Sequence, residues 1–203
     1  VKEPPGNHPL LELEQVICTP HLGASTEEAQ RKVAEEVAHQ IVDYLLNGTV
    51  KNAVNMPSLD AESGALLKPY LDLCQKMGCF MAHFVEGALE EVSISYRGDV
   101  SRLDCRPLTV SVLVGLLSPT LRDAVNFVNA PHLARERGVS VTEAKSELAE
   151  DFINLISIGV KTNKSSGDIA GTLFGKREPR LVRLDSFTLE AIPQGHIVFI
   201  KSV

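Results

Sequence analysis

Tryptophan is absent from these 203 residues, and all aromatics together reach only 5%. So few rings disfavour a base-stacking nucleic-acid platform. A net charge of −6 removes the basic footprint that non-specific phosphate-backbone binding needs, so no nucleic-acid partner is expected. No apolar run reaches the roughly 18 residues of a membrane span, so no membrane partner is expected either. No G-x-G-x-x-G, no P-loop and no serine in a nucleophile elbow occurs. Cys18, Cys74, Cys79 and Cys105 lack zinc spacing and read as buried or free thiols of a reducing cytoplasm. The histidines, His8, His21, His39, His83, His132 and His196, are scattered, so no metal site is expected. The first six residues carry no h-region and no starting Met, and they open inside a proline-rich turn. A processed or partial chain is the expectation.

What is present is ordinary globular composition, 44% hydrophobic and 23% charged, with length for one to two domains. The run from Cys18 to Gln30 stands out. Val16-Ile17 reads as a short strand, Pro20 fixes a turn, and Ser25 with Glu28 has capping-box spacing. Such a frame holds the His21 imidazole rigidly, as general acid–base chemistry near neutral pH requires. The alternative for His21, as for the other five histidines, is a surface or packing role.

Further along, a helix is expected over residues 25–47, with Val33, Val37, Ile41 and Leu45 on one buried face. A linker over 49–64, with a short strand at 50–54, puts a domain boundary near 55. A second long helix is read over 65–88, with Pro69 in its first turn and Gly78 weakening its middle. A half-buried strand follows at 91–97, a helix apolar nearly all round at 108–117 and a short helix at 131–137. Strands are read at 152–161 and 168–174, paired as a hairpin, then at 179–185 and 196–200. The expected fold is α+β: a mixed or antiparallel sheet with packed helices, preceded by a strand–loop–helix tail. Gly167, Gly171 and Gly175 recur every four residues and read as twists or close packing. Lys176, Arg177, Arg180 and Arg183 cluster, with Lys161 and Lys164 near in the hairpin. Such groups suit a carboxylate or phosphate, the alternative being a solvated edge strand.

The segment from His8-Pro9-Leu10 through Val16-Ile17-Cys18-Thr19-Pro20-His21-Leu22-Gly23-Ala24-Ser25-Thr26-Glu27-Glu28-Ala29-Gln30 resembles the last catalytic motif of the D-3-phosphoglycerate dehydrogenases. That family belongs to the D-isomer-specific 2-hydroxyacid dehydrogenases. The likeness continues through Ala53-Val54-Asn55-Met56-Pro57, Val125-Asn126-Phe127-Val128-Asn129-Ala130-Pro131, Ile169-Ala170-Gly171-Thr172-Leu173-Phe174-Gly175 and Glu178-Pro179-Arg180-Leu181-Val182-Arg183. It covers essentially the whole chain, and its later motifs look specific to the long form of the family.

The resemblance implies NAD-dependent oxidation of 3-phosphoglycerate to 3-phosphohydroxypyruvate, the opening step of L-serine biosynthesis, in a cytoplasmic homo-oligomer. It implies that His21 is the catalytic histidine and that His21, Leu22, Gly23 and Ala24 line the nicotinamide end of the cofactor site. The family's partner carboxylate, substrate arginine and glycine fingerprint lie upstream of this motif, so the chain alone is expected to be inactive. Residues 1–54 would be the C-terminal tail of the catalytic domains. Residues 55–203 would be the intervening, allosteric substrate-binding-like domain, with the ACT domain absent. Some long-form relatives bind a small anionic effector there. Arg180 alone stands at such a position, with Lys176 and Arg183 near it in sequence, and Phe187, Thr188 and Ile192 replace the neighbouring basic positions of those relatives. Two functions are carried forward: part of an NAD-dependent D-3-phosphoglycerate dehydrogenase, or a non-catalytic anion-binding and oligomerisation module. Another 2-hydroxyacid dehydrogenase is disfavoured, because those enzymes normally end soon after the helix at Ser25.

Overall fold

A computed structural model describes residues 6–20, 22–47, 50–54, 61–148, 151–175 and 177–200, with 47, 61–65 and 123 described by backbone alone. The chain divides into two units, Val1–Lys51 and Asn52–Val203.

The first unit holds a 3-10 turn, Pro9–Glu12, and one long helix, α1 (Glu27–Asn47). His8 caps the turn, its Nδ1 accepting from the Leu10 amide at 3.2 Å. The start of α1 differs from the expected capping box. Thr26, not Ser25, is the cap: its Oγ1 accepts from the Ala29 amide at 3.1 Å. The Ser25 hydroxyl instead donates back to the Leu22 carbonyl at 3.0 Å. Val33, Val37, Ile41 and Leu45 do share a face, but all are 46–74% exposed, so within this chain the stripe is uncovered. Val16-Ile17 carries no strand pairing, and neither do residues 50–54. A two-residue extended segment becomes a strand only when a partner satisfies its backbone.

The second unit is a six-stranded sheet with helices on one face. Helix α2 (Ala61–Phe84) leads into β1 (Leu89–Gly98). Helix α3 (Arg106–Leu121) and α4 (Ala130–Glu136) then cross to β2 (Ser140–Ser146). The meander β3 (Asn154–Thr162), β4 (Ser166–Phe174), β5 (Glu178–Leu184) and β6 (Phe187–Ala191) completes it. The order is β2-β1-β3-β4-β5-β6, with only the β1–β2 pair parallel, because only that connection contains helices long enough to cross over. The α+β expectation holds.

Alternation makes the core. Val92, Ile94 and Tyr96 of β1 and Ile156, Ile158 and Val160 of β3 are buried on the helix side. Helix α2 lies over β3, β4 and β5, and Leu73, Met77 and Met81 are wholly buried beneath it. Full burial of each such side chain is worth about 1.5–3 kcal/mol. Glycines set how closely α2 approaches. A Cβ at Gly171 would stand 2.8 Å from Met77 Sδ, and one at Gly167 2.8 Å from Phe84 Cε1. The close-packing reading of that glycine series therefore holds for its first two members; Gly175 instead turns the chain with φ +58°.

Helix α3 is buried continuously from Pro107 to Leu117, as its largely apolar sequence requires, with Thr109 and Ser111 hydrogen-bonded to Tyr96 and the Leu71 carbonyl. It crosses α2 where Gly78 faces Leu116 and Gly115 faces Cys79. Gly78 thus seats the crossing rather than merely weakening α2. Helix α2 also begins earlier than expected, leaving Pro69 inside it instead of in its first turn. The polar run after Val141 continues as strand, because β1 offers it a parallel edge. Residues 196–200, read as a strand, pair with nothing among the described residues, whereas 187–191, not read as one, forms the edge strand β6.

Candidate functional site

Three places carry chemistry. The first is the loop before α1. His21 lies outside the described residues. Its neighbours are described: Cys18, Thr19 and Pro20 are exposed, as are Leu22, Gly23 and Ala24. No atom comes within 4 Å of where a Cβ on Gly23 would stand, so this backbone is open to close approach. The Ser25 amide and hydroxyl both bond to the Leu22 carbonyl, tying the loop to the helix start. The loop runs directly into a helix N-terminus, with Glu27 and Glu28 in its first turn. It offers an open edge to a ligand. It does not cradle a dinucleotide pyrophosphate, which needs a glycine-rich strand–loop–helix turn that the chain lacks.

The second is the basic cluster on β5. Lys176 lies outside the described residues. Arg180 is held tightly: its side chain is only 14% exposed, with Nη2 2.8 Å from Glu178 and Nε 3.5 Å from Glu190. Its guanidinium lies 5.4 Å from the Phe174 ring centroid, and Nη1 donates to the Pro179 carbonyl at 3.1 Å. Two carboxylates already neutralise it, so an added anion would compete with both. Arg183 shares that sheet face, opposite Ala170 as Arg180 is opposite Thr172. It donates to Ser157 Oγ at 3.4 Å. Arg177, Lys161 and Lys164 are exposed.

The third was not read from the sequence. The Tyr96 hydroxyl, wholly buried, lies 2.8 Å from Thr109 Oγ1, which in turn donates to the Glu143 carboxylate. The chain of bonds joins β1, α3 and β2. Burial pushes the Tyr96 phenol well above its usual range, with the nearby Cys74 and Glu143 adding to the rise. The signal was a tyrosine on the inward face of a strand, since a buried phenol requires a partner. Every group here has one, so the network holds the fold together and is unsuited to proton exchange.

Two further histidines take ordinary roles: His8 caps a turn, and His132 faces Glu136 at 3.2 Å. No cluster of metal-ligating side chains occurs among the described residues. None of the helices is long and apolar enough to cross a membrane.

Comparison with known proteins points one way. The family described as the D-3-phosphoglycerate dehydrogenase intervening domain matches residues 66–185. The D-3-phosphoglycerate dehydrogenase of Archaeoglobus fulgidus is 35% identical over 97% of this chain. That of Synechocystis is 36% identical over 98%, and that of Methanocaldococcus jannaschii 35% over 100%. The chain spans 36–38% of the length of these relatives.

Proposed function

This chain belongs to the D-3-phosphoglycerate dehydrogenase intervening domain family, and from that premise we propose that it works as part of a D-3-phosphoglycerate dehydrogenase. The observation that carries the proposal is the extent of the likeness. The relatives match both units, including the loop before α1 as well as the sheet domain. In the whole enzyme, residues 1–54 close the catalytic unit and 55–203 form the intervening domain. The reaction is oxidation of the hydroxyl of 3-phosphoglycerate, opening serine synthesis in the cytoplasm, with NAD accepting the hydride when bound.

His21 takes the hydroxyl proton in that reaction. An imidazole suits the task because its ordinary pKa lies near neutral pH. Leu22, Gly23 and Ala24 form the open edge against the nicotinamide end of the cofactor. The intervening domain performs no chemistry. Its network is satisfied and Arg180 is neutralised within the fold, which favours a role in assembly and transmission over effector capture at Arg180 itself. The uncovered stripe of α1 favours homo-oligomeric packing in the whole enzyme.

A chimera tests this. Residues 1–203 replace the matched region of the Archaeoglobus fulgidus enzyme, and NADH formation from 3-phosphoglycerate is followed. Turnover that disappears with His21→Gln is expected. A folded chimera that binds NADH yet never turns over would overturn the family role. One that keeps full turnover with His21→Gln would overturn the histidine assignment.

A further inference from the structure

Between the C-terminal half of α2 and the extended segment 193–199 lies a cavity of about 690 Å³ that the reading above does not use. Its size falls within the roughly 300–1,000 Å³ of small-molecule sites. Lys76, Cys79, Phe80 and His83 recur at helical spacing, so one face of α2 forms its floor. Phe80 and Phe84 stack with centroids 5.9 Å apart, and Phe199 meets Phe84 edge-on at 5.7 Å. A fourth ring entering this group finds both faces and edges to pack against.

The formal charge among the lining residues is positive, from Lys76. Lys76 and His83 stand at the two ends of the helical floor, and no carboxylate among the described residues lines the cavity. Lys76 Nζ bonds Asp72 at 2.7 Å, which leaves ammonium protons to donate elsewhere. The His83 ring has no hydrogen-bond partner among the described residues. We propose that this cavity binds an aromatic carboxylate, with its ring among Phe80, Phe84 and Phe199 and its carboxylate toward Lys76 and His83. Apolar lining supplies affinity and the two donors set the charge of the ligand. The proposal does not depend on the dehydrogenase role.

Cys79 reports occupancy. It lines the cavity and is half-buried, whereas Cys74 and Cys105 are buried and Cys18 is exposed. In the 203-residue chain carrying Cys18→Ser, alkylation of Cys79 by iodoacetamide is followed by intact mass. Saturating 2-naphthoate is expected to slow alkylation at least about fivefold. The neutral 2-naphthalenemethanol protects much less. Lys76→Gln with His83→Gln, changes at one half-buried and one exposed side chain of α2 that leave the circular dichroism spectrum intact, removes the preference for the acid. Alkylation unaffected by 2-naphthoate would overturn the site. Equal protection by acid and alcohol in the parent chain, or an acid preference surviving the double substitution, would overturn the assigned head-group contacts.

Discussion

At Gly115 there is no room for one methyl group. A Cβ there would meet the Gln75 carbonyl and stand 2.8 Å from the Cys79 amide nitrogen, and both obstacles are backbone of α2. A flexible side chain could swing aside, but two crossed helices must separate. Gly115→Ala is expected to cost about 3 kcal/mol, at the upper end of overpacking. In a chain of this size that lowers Tm by roughly 6–12 °C. A melt within a degree or two of wild type would refute backbone contact at the crossing. Cys74, equally buried, responds to alkali rather than volume. Desolvation pushes its thiol far above the ordinary value, and Cys105, Tyr70 and Tyr96 are raised for the same reason. A raised folded pKa means the native state keeps a proton that the unfolded chain loses. The stabilisation is therefore complete below the ordinary thiol value, about 8.5, and drains away as pH rises above it. Each such group contributes up to about 1.4 kcal/mol of loss per pH unit. Urea midpoints should fall steeply above that pH, and less steeply in Cys74→Val. Equal slopes in the two proteins would show that Cys74 ionises alike folded and unfolded.

Among the elements, β6 is tied back by one arginine side chain beyond its ladder with β5 and the packing of Leu189 and Ala191. Arg180 on β5 reaches back to Phe174 on β4 and forward to Glu190 on β6, with Glu178 beside it. Exposed ion pairs are worth little, but this guanidinium is largely enclosed and packs on a ring, so truncation removes packing as well as charge. Arg180→Ala is expected to cost about 1–2 kcal/mol. Hydrogen exchange of amides 187–191 should rise well before that of β3 and β4. Exchange that rises evenly across the sheet would show that Arg180 does not act locally. The same strand shows where sequence reading stops. β1 and α3 were legible because one alternates and the other is apolar on nearly every face, so either packing choice buries the same residues. β6 also alternates, as Phe187-Thr188-Leu189-Glu190-Ala191, but it is short and follows a turn at Asp185 whose φ of +49° is unusual outside glycine. The apolar run 196–200 has stronger strand propensity and no partner. Strand formation is settled by an available edge, which local sequence does not encode. The basic cluster was legible for the same reason that its neutralisation was not: Glu190 reaches Arg180 only once β6 pairs with β5.

On the scale of the whole molecule, the two units differ in what holds them. The sheet domain has a continuous core running through α2, α3 and four strands, from Leu67 to Leu184. In the first unit none of the described residues is buried, and α1 keeps a stripe of valine, isoleucine and leucine in solvent. A helix of 21 residues without a packed face relies on propensity, its Thr26 cap and pairs such as Lys32–Glu28 at 2.9 Å. Those contributions are each about 0.3–1 kcal/mol, which leaves an isolated helix only marginally formed in water. In the 203-residue chain, trypsin should therefore cut first at Arg31 and Lys32 and leave a resistant product containing α2 through β6. Amides of α1 should exchange at nearly unfolded rates while those of α3 approach the protection of global unfolding. Mass spectrometry of the digest and of the exchange reads both. Protection of α1 equal to that of α3 would mean that its apolar stripe is covered in solution. Because the same stripe is available on every copy, such protection should then weaken on dilution, and protection independent of concentration would refute the marginal helix outright.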